Sequence, residues 1–123
     1  MEINRSSITI SEIRDMWHRK ELIVNKNYQR SASVWPEAAR TYLVDTILNS
    51  YVVPKVYFYQ VYDKTRKKVI REIVDGQQRL TTILSYLENE FRLTSRSAKF
   101  EGKKFDDLSD EQQQAYLTYP IEV

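Results

Sequence analysis

Cysteine is absent from the 123 residues, which excludes a disulfide framework, a thiolate nucleophile and any cysteine-held zinc or iron–sulfur centre. Histidine occurs once, as His18, so a two-histidine metal pair or mechanism cannot be assembled within one chain. No apolar run approaches the roughly 20 residues of a membrane-spanning helix. The start, Met1 to Ile10, carries Glu2 and Arg5 and lacks the apolar stretch of a secretory signal. These absences point to a soluble, cytoplasmic domain with no membrane partner. Only two glycines and three prolines punctuate the chain, so each carries information.

The length suits one domain. The formal net charge of +2 hides an uneven spread. Residues 63–104 hold 11 Lys and Arg against 6 Asp and Glu, whereas residues 105–123 hold 5 acidic side chains and no basic one. A basic middle suits a polyphosphate partner; a solvated surface balanced by the acidic tail fits the same count.

Alternation over Ser6 to Ile10 predicts a short strand, and Ser11 is placed to cap a helix carrying Ile13, Met16 and Trp17. Leu22 to Val24 reads as a second strand. Pro36 suits the first position of a helix of about 14 residues on which Ala39, Leu43 and Ile47 recur. Val56 to Tyr62 and Val69 to Val74 are β-branched and aromatic runs joined by a charged turn, the signature of an antiparallel hairpin. Leu80, Ile83, Leu84, Leu87 and Phe91 then predict a helix from Gly76 to about Leu93. Thr94 to Lys99 reads as a polar connection and Phe100 to Phe105 as a small hairpin around Gly102. Ser109 with Gln112 is a capping-box pattern for a helix to about Tyr116. Pro120 to Val123 resembles a strand just begun, so the chain is expected to be the N-terminal part of a longer protein. The fold class expected is α/β (α+β), a small mixed sheet with surrounding helices. Its core should include Leu43, Ile47, Val56, Phe58, Ile73, Val74 and the apolar stripe of the long helix.

The chemically informative stretch is Ile73-Val74-Asp75-Gly76-Gln77-Gln78-Arg79-Leu80, a strand turning tightly into an amphipathic helix. Free amides and the positive dipole end at a helix start favour an anion. Gly76 permits a positive φ and close approach of a ligand. Arg79 can hold phosphate oxygens in a fork. Gln77 and Gln78 offer donors and acceptors. Asp75 would repel a phosphate unless a cation such as Mg²⁺ lies between them. The same residues also fit a plain turn, with Asp75 as cap, Gly76 as turn glycine and Gln77 to Arg79 solvated. Neither a Walker A nor a GxGxxG pattern is present.

A second constellation is Tyr28-Gln29-Arg30, followed by Trp35, where aromatics could stack on a base and Arg30 could hold a phosphate; the aromatics could equally cap the core. Lys64 to Lys68 with Arg71 reads as a charged hairpin tip or a phosphate-contacting patch. His18 has no evident partner in the sequence and reads as a surface residue.

In order, "NYQR…W", "LVDTILNSYVVPKVYFY" and "IVDGQQRLTTIL" resemble the N-terminal domain of GmrSD-type modification-dependent restriction proteins, a ParB/sulfiredoxin-like domain of bacterial phage defence. The resemblance covers roughly residues 6–123, with DGQQR followed by Leu-Thr-Thr as its specific part. It implies a single ParB-like nucleotide-handling domain over residues 1–123. It implies binding and hydrolysis of nucleoside triphosphates tied to DNA restriction. The DGQQR site falls on Asp75, Gly76, Gln77, Gln78 and Arg79, and the nucleotide-facing YQR box on Tyr28, Gln29 and Arg30. The nuclease is expected in a C-terminal HNH-type domain or a partner chain, since one histidine cannot supply it. The expected partners are therefore a nucleoside triphosphate, DNA, that nuclease and, left open, a second copy of the chain. Sulfiredoxin chemistry is excluded by the missing cysteine.

The expected mechanism sets the triphosphate on the helix start, clamped by Arg79 and Arg30. Asp75 holds Mg²⁺, and Gln77 or Gln78 orients the attacking water. The alternative is a non-catalytic module that binds nucleotide or DNA phosphate as a switch.

Overall fold

The computed structural model describes residues 6–24 and 35–123. Its elements run β1 (Ser7–Thr9), α1 (Ile10–His18), β2 (Leu22–Val24), α2 (Glu37–Leu48), β3 (Tyr57–Asp63), β4 (Lys68–Asp75), α3 (Gln77–Leu87), a 3₁₀ turn (Phe105–Asp107), α4 (Asp110–Leu117) and β5 (Pro120–Glu122). This is the expected α/β class. No helix among the described residues is long and apolar enough to cross a membrane.

Two small sheets form. In one, β4 is central, parallel to β2 and antiparallel to β3. In the other, β1 pairs antiparallel with β5, bringing the two ends of the described chain together with Ile8 opposite Ile121. The expected hairpin forms as β3 and β4, with Phe58 opposite Ile73 and Gln60 opposite Arg71. One irregularity sits between Tyr57 and Phe58, at the end of the ladder where the chain turns into α3.

One side of the larger sheet is held by helices around a continuous apolar core. Ile73, Leu80 and Ile83 are buried there with Ile10, Ile13, Leu43, Ile47 and Val56. Phe58 and Leu84 pack against this core only partly buried, and Val74 is half-buried. An aromatic cluster anchors the far end of α3. The Tyr86 ring lies 5.4 Å from Phe91, 5.6 Å from Tyr116 and 6.2 Å from Phe105. The two tyrosine hydroxyls find partners, Tyr86 donating to the Lys103 carbonyl at 3.2 Å and Tyr116 to that of Ile83 at 3.1 Å. Burial pushes both phenols well above their ordinary pKa, so they stay neutral donors.

Several boundaries differ from the sequence reading. Helix α1 starts two residues earlier than a Ser11 cap would place it, because the Thr9 hydroxyl accepts from the Glu12 amide at 3.2 Å. Pro36 stands at the cap of α2, one residue before its helical start. Helix α3 ends at Leu87 rather than near Leu93. Asn89 adopts φ +60°, and its side-chain oxygen accepts from the Asp106 amide at 2.8 Å. Phe91 and Leu93 are buried all the same, in irregular chain. No strand forms over 100–105. The Leu93 backbone instead meets that of Gly102 and Lys103 at 2.7 and 3.1 Å across a turn. The polar stretch 94–99 is partly structural, since buried Ser97 donates to the Asp45 carboxylate at 2.7 Å.

Candidate functional site

Strand β4 delivers Asp75 to the end of the sheet, opposite Tyr57. The next residue, Gly76, caps α3 in the left-handed region at φ +100°. A β-carbon there would stand 2.4 Å from Val56 Cγ1, so both the backbone angle and the packing require glycine. Helix α3 begins with no side-chain cap and no acidic residue in its first turn. By contrast, α1 and α4 have the side chains of Thr9 and Ser109 on their first-turn amides. At the start of α3 the cap residue, being glycine, has no side chain to offer the first-turn amides.

The side chains around the turn divide by helical spacing. Arg79 folds towards the start of β3 and donates from one terminal nitrogen to the Lys55 carbonyl at 2.9 Å. Gln77 and Gln78 head a different stripe of α3, the one continued by Thr81, Ser85 and Glu88. Among the described residues, three side-chain nitrogens are buried without a hydrogen-bond partner: Arg40 Nε, Gln77 Nε2 and Arg79 Nε. Two of the three belong to Gln77 and Arg79, in the first turn after Gly76. Native interiors satisfy nearly all such groups, so two donors left over in one turn mark it as a place for an acceptor. Asp75 is exposed. Among the described residues, no three His, Cys, Asp or Glu gather as a metal cluster. A cation here would therefore rest on Asp75 plus ligands brought by the substrate, as Mg²⁺ commonly does.

Tyr28, Gln29 and Arg30 lie outside the described residues. The strand that leads to them ends next to the turn, since Val24 is in register with Ile73, two residues before Asp75. Trp35, on the far side of that segment, packs half-buried against the core.

The hairpin tip at the other end of β4 is mostly consumed by internal contacts. Arg66 donates to the Asp63 carboxylate at 2.7 Å and to the Lys20 carbonyl at 2.6 Å, tying the tip to the end of α1. Lys68 pairs with Glu21 at 3.0 Å, and the Arg71 guanidinium lies 5.8 Å from the Phe58 ring centre. Hydrogen bonds from Lys68 and then Arg19 lower the Glu21 pKa, and those from Arg66 lower that of Asp63. His18 does have a partner: its Nε2 lies 3.4 Å from Glu88 Oε1, with both side chains exposed.

Sequence reasoning missed Lys55 and Val56 as parts of the turn's environment. They precede Gly76 by about 20 residues, and only the hairpin register brings them to it.

Comparison with known proteins gives the family of the chain. A family model described as GmrSD restriction endonuclease, N-terminal domain, matches residues 10–122. No curated protein and no solved structure matches the chain.

Proposed function

We propose a function from one premise: the chain belongs to the family of GmrSD restriction endonuclease N-terminal domains, whose model spans nearly all of it. The domain binds a nucleoside triphosphate at the Gly76 turn and hydrolyses it, as the nucleotide-handling part of a modification-dependent DNA restriction protein in phage defence. Its DNA-cutting step belongs to an HNH-type nuclease domain or partner chain. The observation that carries this reading is the first turn of α3, where Gln77 and Arg79 each keep a buried side-chain nitrogen without a hydrogen-bond partner, directly after a glycine whose φ and packing against Val56 disfavour any side chain.

In this reading the terminal phosphates rest on the first-turn amides. Arg79, held in place by the Lys55 carbonyl, presents its Nε–H to a phosphate oxygen. This reading assigns the rest of the clamp to Tyr28, Gln29 and Arg30, as the family resemblance implies. Asp75 is the carboxylate that would hold Mg²⁺, and the ion would neutralise charge on the phosphates. The Gln77 or Gln78 amide orients a water for attack on the γ-phosphorus. The β–γ phosphoanhydride bond breaks, and nucleoside diphosphate, inorganic phosphate and a proton leave. Positioning and electrostatics supply the rate.

A second reading is a nucleotide-controlled switch without turnover. The exposure of Asp75 favours it, because a solvated carboxylate is a weak metal anchor. Calorimetry with the four nucleoside triphosphates and Mg²⁺, paired with phosphate release, separates the two. The enzyme reading expects binding that Arg79→Ala abolishes, and turnover that Asp75→Ala loses more than binding. Binding without phosphate release, with and without DNA, leaves the switch. No binding of any nucleotide removes both.

A further inference from the structure

The hairpin of β3 and β4 outruns its third strand. Strand β2 accompanies β4 only from Arg71 to Ile73. On the tip side of Arg71 the ladder continues as a two-stranded ribbon, with Val61 opposite Ile70, Tyr62 opposite Val69 and Asp63 opposite Lys68. There Tyr62 is 56% and Val69 59% exposed. The end of α1 lies beside the ribbon, tied to it by Arg66, which donates to the Arg19 and Lys20 carbonyls at 3.2 and 2.6 Å.

We propose that this tip is a contact surface for the backbone of duplex DNA, where Lys20, Lys64 and Lys67 each meet a phosphate and base sequence is not read. The proposal goes beyond the nucleotide reading of the Gly76 turn and stands without it. Three observations carry it.

The first is which charges are left over. The run Lys64 to Lys68 is not itself the surface, because Arg66 and Lys68 are paired with Asp63 and Glu21. The same contacts use up the acids. Asp63 accepts from the Arg66 side chain and from the Thr65 and Arg66 amides, and Glu21 accepts from Lys68 and Arg19. Over residues 18–21 and 62–69 the chain holds six Lys and Arg against these two carboxylates. Lys20, Lys64 and Lys67 are exposed and have no side-chain partner among the described residues. Three lysines from two segments thus stand over for a polyanion, with no uncommitted carboxylate in either segment.

The second is the backbone at two of them. Lys20 has φ +58° and Lys67 φ +53°, in the left-handed region. Glycine, asparagine and aspartate relax such positions, and lysine does not. Both turns hold a cation against the local preference of the chain, as functional positions do.

The third is shape. The major groove of duplex DNA, about 12 Å wide, admits a two-stranded β-ribbon. The exposed Tyr62 ring and Val69 methyls give this ribbon an apolar surface for sugars and thymine methyls. Lysine is a point charge suited to phosphate, whereas reading a base edge takes a fork of donors. Arg66 is such a fork, and it is spent on Asp63 and the end of α1. The tip therefore grips the backbone and leaves the sequence unread. At roughly 3.3 Å per residue, β4 sets it about 23 Å from Asp75, clear of the Gly76 turn.

Fluorescence anisotropy tests this with the full chain and a labelled, unmodified duplex of roughly two helical turns. The wild type should bind at about 50 mM salt and lose affinity steeply towards about 200 mM. Lys20→Gln, Lys64→Gln and Lys67→Gln combined should weaken binding about tenfold or more at low salt and keep the wild-type Tm. They should also reduce the slope of log affinity against log salt by about 2.7, or 0.9 per phosphate contact. Removing the same charge elsewhere, by Arg96→Gln, Lys99→Gln and Lys103→Gln, should leave duplex affinity near wild type, and so should Arg79→Ala. The proposal is overturned if the wild type shows no salt-dependent binding, or if the two triple variants weaken it equally, since net charge and not place would then decide. It is overturned if Arg79→Ala weakens the duplex as much as the tip variant does, which would move the DNA to the turn. Single-stranded DNA binding as tightly as the duplex removes the ribbon-in-groove fit and overturns it. Polyglutamate displacing the label as well as unlabelled duplex does overturns it in favour of an acidic protein. The expected pattern supports the surface whether or not any nucleotide binds.

Discussion

Strand β4 has two ends, and they are built on opposite plans. At its start, by the hairpin tip, the charged groups close on one another. Arg66 takes up the Asp63 carboxylate and the Arg19 and Lys20 carbonyls just beyond α1, and Glu21 accepts from both Lys68 and Arg19. At its end, the chain turns through a glycine into a helix without a side-chain cap, with donor nitrogens of Gln77 and Arg79 unmatched. Lys64 to Lys68 is the densest basic run of the chain, which the sequence reads as a charged tip or a phosphate-contacting patch. The structure engages Arg66 and Lys68 of that run in internal pairs. A cation already spent on an internal carboxylate offers little to a ligand, whereas one partnerless buried donor gains a full hydrogen bond when an acceptor arrives.

The sharpest way to break this contrast is Gly76→Ala. The left-handed φ and the contact with Val56 together should cost about 2–4 kcal/mol, read as a fall of roughly 10 °C or more in Tm, with nucleotide binding lost. A variant of unchanged Tm would mean the turn is not strained against Val56. Arg79→Ala comes next. Nucleoside triphosphate affinity should fall at least tenfold by calorimetry, while Arg66→Ala at the other end of β4 leaves it unchanged. Equal losses from the two would erase the difference between the ends.

Ser109→Ala sharpens the comparison from a third position, the start of α4. There the serine hydroxyl accepts from the Gln112 amide at 3.2 Å, and the Gln112 side chain accepts from the Ser109 amide at 3.0 Å. Losing this cap should cost about 1 kcal/mol in urea unfolding and leave nucleotide affinity intact, because that helix start already satisfies itself. The smallest effect expected is that of pH at the hairpin tip. Both acids there are held below their ordinary values of 4.5 for Glu21 and 3.8 for Asp63. Their contribution is therefore fully present above about pH 4.5 and is lost as the pH falls through the lowered folded values. Arg66→Ala should flatten the Asp63 part of that acid slope. Because both carboxylates are solvent-screened, the change should be slight. A slope identical in wild type and variant would show that the tip contacts carry no pH-dependent stability.

Much of this arrangement was legible in the chain. The β-branched and aromatic runs Val56 to Tyr62 and Val69 to Val74, joined by a charged turn, placed the hairpin within one residue at each end. Asp75-Gly76 before Leu80, Ile83 and Leu87 gave the strand–turn–helix on which the site stands, because periodicity and glycine act locally. The long extension of α3 to Leu93 failed for an instructive reason. Phe91 and Leu93 continue the apolar spacing and are buried, yet a left-handed Asn89, held by the Asp106 amide, ends the helix before them.

The sequence by itself determined the local grammar: which residues alternate, which recur every third or fourth position, where glycine alone can turn the chain, and which chemistries the missing cysteine forbids. Only the tertiary structure decided which cations are spent and which remain. That choice depends on carbonyls and carboxylates delivered from remote segments, Lys55 to Arg79 and Lys20 to Arg66. Their proximity follows from the register of β3 on β4 and the docking of α1, which no spacing along the chain encodes.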